Sequence, residues 1–207
     1  MEQYINQIKL RGSLQELPKF SHENHGRKFY RFLLDVPRLS SAVDTLPVIA
    51  ELKVLETLDL SAGSSIYVEG QIRSHNLTDE TGRHLLIFVY ATTLIAEEGP
   101  PLNEVTLEGT LCKPPVFRHT PLGREITDVM LAVPRAFHRA DYLPCILWGS
   151  TAKQASQCNV RDKLHLYGRL QSRTYTKRME DSSQQRTTYE ISALSAYIPT
   201  EETCDPY

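Results

Sequence analysis

The sequence predicts an all-β protein built from two copies of one small barrel. Three observations carry this. Apolar and polar residues alternate at period two, as in IKLRGSLQ and VTLEGTLC. Helical patterning is confined to one short stretch per half. The chain also repeats itself: residues 6–38 laid over 103–135 are identical at 13 of 33 positions, with no gap. Asn6, Leu10, Gly12 and His22 meet Asn103, Leu107, Gly109 and His119, and Val36-Pro37-Arg38 meets Val133-Pro134-Arg135. Gly70 meets Gly168 after a shift of one residue.

Each half then reads as five strands. The first, IKLRGSLQ or VTLEGTLC, carries a glycine, which marks a bulge or a sharp bend. FYRFLLDV and ITDVMLAV give the second, and PVIAELKV and PCILWGS the third. A short helix is expected next, over Val54–Leu60 and Thr151–Cys158, the latter capped by Ser150. SIYVEGQIRS and KLHLYGRLQS give the fourth strand, again with a glycine. HLLIFVYATTLI and TTYEISALSAYI give the fifth. Five strands with a helix between the third and fourth is the plan of the OB-fold, a Greek-key barrel. The expected division is a first barrel over 1–98, a linker at 99–101, a second barrel over 102–200 and an acidic tail at 201–207. Gly99-Pro100-Pro101 stiffens the junction. Lys113–Arg124 and Thr174–Thr187 read as the long loops that flank an oligonucleotide groove in this fold.

Composition narrows the function. The chain has 207 residues, 41% hydrophobic and 23% charged, with a net charge of −2. Those values fit a folded protein and exclude one that coats nucleic acid by bulk charge alone. No apolar run is long enough for a membrane helix, and the N-terminus reads as lacking a signal peptide. Cys112, Cys145, Cys158 and Cys204 form no metal-ligand spacing, so free thiols in a reducing cytoplasm are expected. His22 and His119 recur at equivalent places and read as turn-stabilising residues rather than ligands. No phosphate loop, nucleophile elbow or zinc-protease motif is present. The expectation is a protein without enzymatic activity, metal or cofactor.

The run GTLCKPPVFRHTPLGREITDVMLAVPR resembles the opening of bacterial single-stranded DNA-binding proteins. DYLPCILWGSTAKQA is similar to their third strand and following helix, and LYGRLQSRTY to their fourth strand. The resemblance spans about 95 residues of the second repeat. It implies stacking of bare bases on four aromatic positions, which fall on Phe137, Tyr142, Trp148 and Tyr175. Stacking holds single strands without reading sequence, because every base has a π-face. Tyr142 and Trp148 lie an even number of residues apart on a strand, so they share a face. The first-repeat equivalents are Ser40, Thr45, Glu51 and Leu77, none aromatic.

Phosphate contacts need cations near the aromatics. The candidates are Arg118 and Arg124 in the first loop, Arg135 and Arg139 beside Phe137, Lys153 near Trp148, and Arg173, Lys177 and Arg178 around Tyr175. Arg173 falls on a position that is commonly a DNA-contacting arginine in the family. Residues 1–99 hold 10 basic and 13 acidic side chains, and 100–198 hold 13 and 9. A division of labour follows: the second half binds single-stranded DNA, and the first completes a pseudo-dimer or docks a protein. The run 176–183 reads as a solvated loop. The tail, Pro199 to Tyr207, lacks the long linker of typical relatives. The resemblance further implies a homodimer giving four barrels, and roles in replication, recombination and repair beside the nucleoid. Two alternatives stay open: a restart accessory factor like primosomal replication protein N, and an interaction scaffold that kept the barrel and lost the DNA.

Overall fold

A computed structural model of the chain describes residues 4–79, 82–178 and 183–198. The first half contains β1 (Asn6–Leu14), β2 (Lys19–Asn24), β3 (Arg27–Pro37), β4 (Val43–Glu51), α1 (Leu52–Leu55), β5 (Ser65–Asp79) and β6 (Gly82–Ala96). The second half repeats the series: β7 (Leu102–Leu111), β8 (Val116–His119), β9 (Glu125–Arg135), β10 (Arg139–Trp148), α2 (Gly149–Ala155), β11 (Lys163–Arg178) and β12 (Ser183–Tyr197). The strands form one sheet in the order β2-β3-β4-β6-β5-β1-β7-β11-β12-β10-β9-β8. Additional β1–β3 and β7–β9 pairings close a barrel in each half. The tandem OB plan is therefore present.

Period two gives the longer strands a buried face. Ile8, Leu10 and Leu14 of β1 point inward, as do Val105, Leu107 and Leu111 of β7. Truncating one such leucine to alanine costs about 2–5 kcal/mol. The fourth-strand glycines sit at bulges, between Glu69 and Gly70 and between Tyr167 and Gly168. A Cβ on Gly168 would lie 2.3 Å from the Ser192 carbonyl oxygen, so close strand approach requires glycine there.

Several expected details differ. Each first loop contains a short extra strand, β2 or β8, paired with the strand that follows it. Most of the expected loop over Thr174–Thr187 is instead the end of a long hairpin, since β11 and β12 pair as far as Arg178 and Ser183. Both helices begin earlier than expected. α2 starts directly after β10, with Gly149 at φ 56°, and Trp148 occupies the capping position without a side-chain cap. Ser150 lies inside the helix and is not its cap.

The halves join through antiparallel β1–β7 pairing, Asn6 to Arg11 against Leu107 to Leu102. Two asparagines repeat one device, one on each side of this seam. Asn6 bonds the carbonyl and N–H of Ile72 at 2.8 and 2.9 Å, and Asn103 bonds those of Leu170 at 2.7 and 3.0 Å. Each side chain substitutes for a backbone partner beyond the bulge. At the junction, Arg11 donates to Glu97 and, at 3.3 Å, to the carbonyl of Pro100.

Candidate nucleic-acid interface

The register places five of the twelve expected site residues on one sheet face. On β10, Asp141, Leu143, Cys145 and Leu147 point into the barrel, so Tyr142, Pro144, Ile146 and Trp148 point outward. Trp148 opposes Ile126 on β9, and Ile126 opposes Arg118 on β8. Ile146 lies beside Ser192 on β12, and Ser192 opposes Arg169 on β11. Four and six pairs along that hairpin lie Arg173, opposite Thr188, and Tyr175, opposite Arg186, both in the same outward set. Cross-strand partners share a face. Arg118 on β8, Tyr142 and Trp148 on β10, and Arg173 and Tyr175 on β11 therefore look the same way from one stretch of sheet, β11-β12-β10-β9-β8.

The aromatics differ in how they are held. Trp148 is half-buried, and its Nε1–H donates to Ser192 Oγ at 3.0 Å, which fixes the indole against β12. Tyr142 and Tyr175 are 44% and 41% exposed. Phe137 is 91% exposed at the tip of the β9–β10 turn, with φ at 62°, followed by His138 at 54°. A bulky residue in the left-handed region is strained, and an exposed ring returns no burial for that strain.

The expected cations divide into two sets. Arg124, Arg139 and Arg173 are exposed and carry no ion pair among the described residues. Three others are engaged. Arg118 bonds both oxygens of Asp128, which raises its pKa above the ordinary arginine value. Lys153 pairs with Glu125 at 3.0 Å. Arg135 reaches the buried carboxylate of Asp141 at 3.3 Å. The side chains of Lys177 and Arg178 lie outside the described part of the structure. Arg169 was not among the expected residues. It belongs to the outward set of β11, and its Nε is buried without a hydrogen-bond partner. Counting back from Arg173 in steps of two would have found it. The face is not uniformly basic, because Glu190 also lies on it, accepting from Gln171 Nε2 at 2.7 Å.

In the first half two of the four corresponding residues are tied to neighbours. Glu51 is paired with Lys53 at 3.0 Å and Arg27 at 3.9 Å. Thr45 donates to Asp35 at 2.6 Å. Ser40 lies in the β3–β4 turn, and Leu77 is 40% exposed on β5. His22 stacks on Phe29 at 4.8 Å, while His119 meets Phe117 edge-on at 5.4 Å. Among the described residues no cluster of His, Cys, Asp or Glu could hold a metal ion. No helix among them is long and apolar enough to cross a membrane.

Comparison with known proteins fits this geometry. The model of the single-strand binding protein family matches residues 102–198. "Single-stranded DNA-binding protein B" of Bacillus subtilis (strain 168) is 39% identical over 80 residues, covering 35% of this chain and 71% of that protein. The chain belongs to the single-strand binding protein family. A second family relative, "Single-stranded DNA-binding protein 1" of Staphylococcus aureus (strain COL), is 36% identical over 81 residues. The chain spans about half of that protein, 48% of its length. The family likeness in sequence falls on the second half, whereas the structural likeness covers both. A deletion variant of the single-stranded DNA binding protein from Thermus aquaticus superposes with a TM-score of 0.76 at 25% identity, over 98% of each chain. The wild-type Thermus aquaticus structure gives 0.79 at 24% identity, which speaks for the tandem fold alone.

Proposed function

We propose that this protein binds single-stranded DNA without sequence preference through the outward face of β8 to β12. Bases stack on Tyr142, Trp148 and Tyr175, with Phe137 extending the track beyond the sheet. Arg173, Arg124 and Arg139 contact phosphates, and Arg169 adds a cation between Trp148 and Arg173. Arg118 and Lys153 have carboxylate partners to leave before they reach a phosphate, and Arg135 serves the seam between the halves. The observation that carries this reading is the shared face: residues far apart in sequence converge on one strip of sheet. Each stacked base contributes about 1–3 kcal/mol.

In this reading the barrels at 1–98 and 102–200 have divided the work. The protein occupies and protects a strand during replication, recombination and repair in the cytoplasm, and catalyses no reaction. Two chains associate to present four barrels. The outer face of the central strands supports this, because Ile95, Tyr167 and Tyr197 are 43%, 42% and 64% exposed there. The tail at 201–207, proposed as an acidic tip, lies outside the described residues.

Trp148 is the chain's single tryptophan and supplies the test. Titration with oligo(dT) at low salt should quench its fluorescence, and added salt should reverse the quenching. Trp148→Phe should bind with no fluorescence signal in a filter assay. Absence of binding at low salt would refute the proposal and leave an interaction scaffold. Light scattering would report the dimer.

A further inference from the structure

The proposed DNA face belongs to the second half, yet the first half holds part of its backbone. Asp141 is fully buried, at 0% exposed. It accepts the Ser74 N–H at 2.8 Å and Arg73 Nη1 at 3.0 Å, both from β5 of the first half, besides Arg135 of its own half. One residue on, the N–H of Tyr142 donates to Ser74 Oγ at 2.7 Å. Tyr142 opposes Ala132 on β9, and N–H groups in an antiparallel ladder alternate between facing the partner and facing away. The Tyr142 N–H faces away. β12 reaches β10 only at Cys145 and Ile146, so no strand meets this N–H, and the Ser74 hydroxyl takes the place of one.

The same clasp recurs in mirror image. Asp44, also 0% exposed, accepts the Ser172 N–H at 2.7 Å and its hydroxyl at 3.1 Å, while Arg38 donates to the Ser172 carbonyl at 3.1 Å. Ser172 directly precedes Arg173. Each clasp crosses the seam and ends next to a residue of the proposed site.

We infer that Ser74 is a positioning residue for DNA binding: the first half fixes the backbone beneath the stacking ring of Tyr142. This rests on the DNA-binding reading above. A ring on a fixed backbone has less freedom to lose when a base stacks on it. A strand end without a partner samples open states that bind poorly. The first half would then contribute to affinity without touching the strand.

A double-mutant cycle in the full chain, read by oligo(dT) affinity, tests this. Ser74→Ala should weaken binding about three- to tenfold, the scale of one net hydrogen bond. Ser74→Thr, which keeps the hydroxyl, should restore it. In a Tyr142→Ala background, Ser74→Ala should have no further effect, since its action runs through that ring. Additive losses would overturn the inference, because a general structural role does not depend on Tyr142. Unchanged affinity in Ser74→Ala, with Tyr142→Ala still weakened, would overturn it and leave the DNA-binding reading standing. Unchanged affinity in Tyr142→Ala, or a wild type that does not bind, would remove the reading beneath it and the inference together.

Discussion

Phe137 illustrates a conflict between folding and binding at the scale of one residue. Its ring is 91% exposed and its backbone left-handed, so folding gains nothing from either property. Glycine at this position relieves steric strain of about 1 kcal/mol, partly offset by its greater freedom in the unfolded chain. Phe137→Gly should therefore leave the melting temperature unchanged or slightly raised while weakening oligo(dT) binding by about tenfold, within the range of one lost base stack. A parallel fall in stability and affinity would instead place the ring in the fold. Cys145 shows the opposite situation. Burial pushes its thiol well above the ordinary range, so the reactive thiolate is suppressed. In the native protein it should resist alkylation at pH 8 and react only on unfolding, as mass spectrometry of the labelled peptide would show. That Tyr142 and Trp148 share a face was legible because it follows from strand period. The engagement of Arg135 was not, because its partner Asp141 is fixed by Ser74, 67 residues away.

At the scale of elements, the two barrels are close copies that differ in tolerance. Gly12 and Gly109 occupy equivalent places in β1 and β7, where each barrel closes. A Cβ on Gly12 would lie 2.3 Å from the Asp35 carbonyl oxygen, a backbone atom that cannot yield without moving β3. A Cβ on Gly109 would meet the Leu131 and Val133 side chains at 3.1 Å and the Ala132 carbonyl oxygen at 3.2 Å, contacts that need a shift of only a few tenths of an ångström. Gly12→Ala should destabilise the protein by about 2 kcal/mol or more, and Gly109→Ala by about 1 or less. Paired denaturant titrations would show equal losses if the closures were equivalent. Period two and the glycines made strand existence legible, including the bulges at Gly70 and Gly168. Strand length was less so. The sequence from Thr174 to Thr187 reads as loop because its residues are polar, but the backbone ladder runs on as far as the pair Arg178 and Ser183 regardless of side-chain polarity. β8 was hidden for a related reason. Its four residues follow Pro114-Pro115 and precede Gly123, so turn signals outnumber strand signals.

For the whole molecule, the seam governs both charge and stability. Of the described cations on or beside the proposed face, Arg124, Arg139, Arg169 and Arg173 have no ion pair, and in the proposed reading these four would meet phosphates. At about 0.7 counterions per phosphate on a single strand, log affinity against log salt should slope near −3 per chain. Stability follows from continuity. The β1–β7 pairing makes twelve strands one sheet, and the buried apolar residues of both halves form one cluster. Three buried polar groups, Asn6, Asp44 and Asp141, and the half-buried Asn103 cross between elements at this seam or beside it. Breaking a buried ion pair by removing one partner costs about 3–5 kcal/mol, so opening one half strips stability from the other. The two halves should therefore melt in a single calorimetric transition, with calorimetric and van't Hoff enthalpies in agreement per cooperative unit. Asp44→Ala and Asp141→Ala should each lower that one transition, although the residues belong to different halves. Two resolved transitions, each sensitive to only one of the two substitutions, would show that the barrels fold independently. The first half would then have no means of supporting a DNA face built on the second.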